Sequence, residues 1–223
     1  MRSVSGRTVD ACDTSMCFVT RCPSDRAGSG PRRFDMRSAT QRDATYVIVK
    51  EHQQLSAVIA GMQRFVSLLE TGADAPPTTI FRAMLYYIRE YPERIHHPKE
   101  DLHLFARLRE RTEELDDVID ELESQHAQGE SKVRNLEHAL TRYELAGESV
   151  LPALRTLVDD YAQFYSQHRH IEENVILPAA RRYFTEDDWA DVDAAFSVNR
   201  DPFDGDKLEE DLEKLFVSVL NIV

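Results

Sequence analysis

"LDDVIDELESQHAQGESKVRNLEHAL", Leu115 to Leu140, decides the fold. Leu115, Ile119, Leu122, His126, Gly129, Val133, Leu136 and Leu140 recur in it at intervals of 4-3-4-3-4-3-4. Steps alternating between three and four keep one face of an α-helix turned toward the same neighbour. That face is apolar or small except at one slot, which holds His126. Thr112 reads as the N-cap, with Glu113 and Glu114 complementing the helix dipole, and Gly147 closes the helix.

The same rhythm runs on either side. Before it, Ile48, His52, Leu55, Ile59, Met62, Val66 and Leu69 form one stripe, stopped by Gly72 and the Pro76-Pro77 pair. A second helix starts at Thr78 or Thr79 with Phe81, Leu85 and Ile88 on one face and continues through Leu104 and Leu108. Pro92 and Pro98 predict a kink or break within it. After it, a fourth helix spans about Glu148 to Phe184, its stripe being Leu154, Leu157, Tyr161, Tyr165, His168, Glu172, Val175 and Ala179. Short connections make this an all-α, up-down-up-down four-helix bundle over residues 44–184. A C-terminal helical extension covers 185–223. Thr185 caps a fifth helix, "NRDPFDG" makes a turn, and "KLEEDLEKLFVSVLNIV" forms a sixth helix.

Residues 1–43 differ in kind. Eight Arg and five Asp are scattered among Gly, Ser, Pro and Thr with no period, which predicts a disordered segment. All three cysteines, Cys12, Cys17 and Cys22, fall there, in a spacing that matches no common zinc pattern. So few cysteines point to a reducing, cytoplasmic setting rather than a disulfide-stapled secreted fold. A net charge of -13 argues against a nucleic-acid partner. No apolar run reaches the roughly 18 residues of a transmembrane segment.

Histidine then stands out. His52, His126 and His168 each fill a slot on an inward stripe, and His96 belongs to the corresponding face of the second helix. Imidazole is costly to bury unless its nitrogens find partners. Glu100 follows His96 by four residues, and Glu172 follows His168 by four, so two helices each present an imidazole and a carboxylate on one face. Two buried carboxylates without a cation cost several kcal/mol apiece. Mixed imidazole and carboxylate donors inside a bundle suit a pair of iron or manganese ions, with zinc fitting less well.

"HHPKEDLHLF", "LESQH" and "HRHIEENVILP" resemble the second-, third- and fourth-helix motifs of the hemerythrin-like proteins with an HHE cation-binding domain. The resemblance covers about residues 44–184. It implies a di-iron centre in which His52 and His96 bind one ion, His126 and His168 the other, and Glu100 and Glu172 bridge. The Leu104-Phe105 pair sets the register on His96 rather than His97, and Pro178 sets it on His168 rather than His170. His97, His103, His138 and His170 are then expected near the site or in solvent, with His97–Asp101 kept as a rival pair. Oxygen carriers of this family place a second His four residues after the first on the third helix; here that position is Glu130, a further candidate ligand. The resemblance therefore implies a site that binds or senses oxygen, or a related small diatomic or peroxide ligand. The alternatives are a di-iron enzyme acting on peroxide or nitric oxide, and an iron donor for iron-sulfur cluster repair. Tyr165, one turn before His168, is read as core packing, with a hydrogen bond near an open position as its other role.

Overall fold

A computed structural model describes residues 43–199 and Asp201. Residues 1–42 of the segment expected to be disordered, most of the expected "NRDPFDG" turn and the sixth helix lie outside them. The described residues are almost wholly helical. Helix α1 (Ala44–Thr71) is capped by the Asp43 carboxylate, which accepts from Thr45 N–H at 2.8 Å, and it ends on Gly72 at φ 63. That left-handed conformation is cheap for glycine alone, so the residue acts as a stop signal. Helix α3 (Asp116–Ala146) ends on Gly147, also at a positive φ of 69 but with ψ -149, outside the left-handed helical region of Gly72. It begins later than Thr112 predicted. The Thr112 hydroxyl instead accepts from Glu114 N–H at 3.1 Å in a local turn, and Leu115 takes the N-cap position. Helix α5 (Glu186–Ser197) carries the expected cap at Thr185, a capping box closed with Asp188.

The other two rods are not regular. Rod α2 (78–111) is α-helical over Thr78–Glu90, π-helical over Pro92–His96, α-helical over His97–Lys99, π-helical over Glu100–Phe105 and α-helical over Ala106–Arg111. Rod α4 (151–183) passes from α-helix at Leu151–Ile171 through a π-turn at Glu172–Ile176 to Leu177–Tyr183. Two of these π-turns end two residues before a proline, Pro98 and Pro178. Proline has no N–H to continue the ladder, and its ring crowds the carbonyl four residues back. A π-turn reaches five residues back and relieves that crowding. The expected kink in α2 is thus a widening of the helix rather than a break.

Widening matters because it holds a face. Ile88, Pro92, His96, Glu100, Leu104 and Leu108 are all buried, each four residues after the last. On a regular α-helix every four-residue step overshoots the turn by about 40°, so five steps would rotate the row by about 200°. The π-turns absorb that rotation. In α4 the effect is a shift of register. The sequence stripe runs on from Glu172 to Val175 and Ala179, but the buried residues are Ile176, Leu177 and Ala180, while Val175 is 37% exposed. Truncating Ile176 to Ala is therefore expected to cost about 2–5 kcal/mol, and Val175→Ala no more than about 0.5 kcal/mol. Urea denaturation of both variants checks this; equal losses would restore the regular-helix register.

Contacts between rods pair the start of one with the end of another. Tyr165 donates to the His52 carbonyl at 3.2 Å, and Arg155 to Ser67 Oγ at 3.1 Å, between α1 and α4. Arg89 meets Glu137 at 2.9 Å, and Arg82 bonds Glu144, between α2 and α3. The core has two apolar halves. One gathers Phe65, Phe81, Tyr87, Leu136 and Leu154. The other gathers Ile48, Phe105, Leu122 and Ile176 with Val192 and Phe196 of α5, so the extension shares the bundle's own core. Between the halves lies a layer of buried imidazoles and carboxylates.

Candidate metal centre

Six side chains from all four rods meet in that layer. Glu100 Oε1 lies 3.1 Å from His96 Nε2 and 3.7 Å from His52 Nε2. Glu172 Oε2 lies 3.1 Å from His52 Nε2, and its Oε1 lies 3.2 Å from His168 Nε2. His126 Nε2 stands 3.7 Å from both carboxylates and 3.2 Å from His168 Nε2. These residues thus turn their Nε2 atoms and carboxylate oxygens toward a common centre, which both carboxylates span. Two sets are compact enough for one ion each: His52, His96 and Glu100; and His97, Glu100, His126 and His168, all ligand atoms within 4.8 Å. Glu172 stands outside both sets, yet its two oxygens reach His52 on one side and His168 on the other, so pairwise distances make it a second link.

The opposite ring nitrogens are held by a closed ring of supports. Glu51 on α1 accepts from His96 Nδ1 at 2.6 Å on α2. Asp101 on α2 accepts from His126 Nδ1 at 2.7 Å on α3. Gln125 on α3 accepts from His168 Nδ1 at 3.0 Å on α4, its own amide donating to Glu121 at 2.7 Å. Glu173 on α4 accepts from His52 Nδ1 at 3.2 Å on α1. Each support is the chain neighbour of a residue in the central cluster and props the imidazole of the next rod. Because carboxylate and side-chain carbonyl oxygens accept, each Nδ1 donates its N–H outward and each Nε2 is turned to the centre. Glu51 is fixed in turn by Tyr91 at 2.5 Å and by Asn199 Nδ2 at 3.0 Å. Of these four supports only Asp101 was singled out in the sequence, as a rival partner of His97; all four stand one place off the stripes.

His52 Nε2, His96 Nε2 and all four carboxylate oxygens of Glu100 and Glu172 are buried without a hydrogen-bond partner. Orphans of that kind are costly unless something else satisfies them, and these are metal-donor atoms at the spacing of roughly 3 Å expected between neighbouring ligands about 2.1 Å from one ion. The residues therefore fit a metal centre. In the metal-free protein, protons are the substitute. Burial alone would lower the His52, His96 and His126 imidazoles, but the surrounding carboxylates override it. They raise His52 well above its ordinary value, His96 to about 9 and His126 to about 10. Burial and the mutual repulsion of the two acids oppose ionisation of Glu100 and Glu172, yet the imidazoles hold both below the ordinary carboxylate value.

Other candidates fall outside the cluster. Glu130 is 69% exposed and pairs with Arg134 at 2.8 Å, so α3 presents no second ligand there. Asp101 serves His126, not His97. Tyr165 spends its hydroxyl on the His52 carbonyl, which makes it a packing residue. His138 and His170 are exposed. His97 departs most from expectation. It is buried, stacked on His126 at 4.3 Å and 11°, and burial pushes its imidazole well below the ordinary range.

Fold and site together define a helical metal-binding domain. The hemerythrin HHE cation binding domain matches residues 37–180, and the chain belongs to that family. No curated protein and no solved structure matches the chain. Among the described residues no helix is long and apolar enough to cross a membrane.

Proposed function

We propose that this chain is a non-haem di-iron protein that binds or senses oxygen or a related small oxidant. The bundle would be up-down-up-down, with His52 and His96 holding one ion, His126 and His168 the other, and Glu100 and Glu172 bridging. One observation carries the reading: the buried, unbonded Glu100 and Glu172 oxygens face imidazole Nε2 atoms drawn from every rod. Iron, when bound, would supply redox chemistry toward small oxidants. The chain's own part is positional. Its ring of supports holds each Nδ1 and aims the four Nε2 atoms inward, and its two apolar halves shut out bulk water and large substrates.

Protein purified without oxygen tests the reading. Two irons per chain are expected, and the near-ultraviolet and visible spectrum of the reduced protein should change within seconds of mixing with oxygen. Metal content below one ion per chain, or a spectrum indifferent to oxygen and peroxide alike, would overturn it. Sustained peroxide turnover would move the protein to the enzyme reading.

A further inference from the structure

His97 is the one buried imidazole that the site as proposed leaves without a task. It lies on α2 beside His96, yet its ring turns toward the other half of the centre, 4.3 Å from the His126 ring and 5.4 Å from that of His168. One of its nitrogens lies within 4.8 Å of ligand atoms of Glu100, His126 and His168, so the four are close enough to share an ion. Its Nδ1 is buried without a hydrogen bond, 3.5 Å from Glu93 Oε2. A core histidine with no partner on Nδ1 is poorly served by packing alone.

The neighbouring rod explains the room. Residue 129 of α3 faces inward and is glycine; the next residue, Glu130, faces out. A Cβ at Gly129 would collide with both Glu93 carboxylate oxygens. The missing side chain thus admits Glu93, and Glu93 lies one turn before His97 on α2. What α3 does not bring to the centre, α2 brings from across the gap.

Resting on the di-metal reading above, we infer that His97 is a fifth imidazole ligand and binds the ion held by His126 and His168. The two ions are then unequal, one with three imidazoles and one with two. The position left for a small ligand falls on the ion held by His52 and His96.

The rival explanation is stacking, since His97 lies flat against His126. His97→Phe separates the two, because it keeps a flat ring and loses the donor atoms. The readout is proton NMR of the cobalt(II)-loaded chain, in which each ligating imidazole contributes one exchangeable, strongly shifted N–H signal. Five such signals are expected in the parent protein and four in His97→Phe. One of the two ions should also bind at least about 100-fold more weakly in the variant, beyond the 10–100-fold typical of losing a ligand's support. Four signals in the parent protein, or an unchanged count and affinity in His97→Phe, would overturn the assignment. The parent count decides even where the variant does not fold. A parent protein that takes up no cobalt would overturn the di-metal reading itself, and this inference with it.

Discussion

Glu172→Ala should reduce bound metal from two ions per chain to one or none. The Glu172 carboxylate is fully buried and reaches His52 at 3.1 Å and His168 at 3.2 Å, so both proposed ions lose a ligand at once. The metal-free fold should suffer too, because His52, His126 and His168 lose the charge that faces them. Removing one member of a buried ionic cluster costs about 3–5 kcal/mol, which is on the order of 10 °C in melting temperature for a chain of this size. Glu172→Gln keeps the volume and discards only the charge, so it should lose metal as fully while packing better. Glu173→Ala is the control. It is partly exposed and touches only His52 Nδ1, and its removal should weaken metal binding about 10–100-fold without emptying the site. Elemental analysis of all three variants decides. Full metal content in Glu172→Gln would exclude a bridging role.

That test targets a residue readable from sequence, and the reason is periodicity. His126 and His168 sit in stripes filled mainly by Leu, Ile, Val and Tyr, so their inward placement follows from the helix repeat alone. Gly72, Gly147 and Thr185 mark helix ends because their chemistry is local. What stayed hidden depends on departures from the regular repeat or on contacts between rods. Val175 and Ala179 extend the stripe of α4 correctly for an α-helix, but one π-turn moves the inward face to Ile176 and Ala180. The four-residue steps from Ile88 to Leu108, with Pro98 and Pro178 placed alike after their π-turns, were the available signals. Glu51, Asp101, Gln125 and Glu173 look like ordinary polar neighbours along the chain. Their task exists only once another rod delivers an imidazole to them. His97 gave way to His96 on the Leu104-Phe105 register, and as the neighbour of His96 it points some 100° away on a straight helix. In the bundle that direction leads to the second half of the centre.

Chelation should lower the melting temperature, and the gap between metal-loaded and metal-free protein should widen as pH rises from 6 to 9. Protons and cations compete for the same Nε2 atoms. The metal-free protein holds His96 up at about 9 and His126 at about 10, against an ordinary value of 6.5. A folded-state value above the unfolded one adds stability that is complete below about pH 6.5 and is lost as pH climbs through 9 and 10. The metal-free fold therefore weakens over that range. Glu100 and Glu172 act in the opposite sense: their lowered values add stability above the unfolded carboxylate value, lost only as pH falls toward their folded values, so they do not alter the trend above pH 6. Metal binding expels the Nε2 protons, which makes affinity rise with pH over the same interval. At free metal a thousand times the dissociation constant, each ion adds about 4 kcal/mol. With two ions the gap near pH 8 should be on the order of 20 °C. Differential scanning calorimetry with and without chelator, at several pH values, measures it. A gap that stays constant or narrows toward pH 9 would mean that the imidazoles holding the protons are not the atoms that hold the metal.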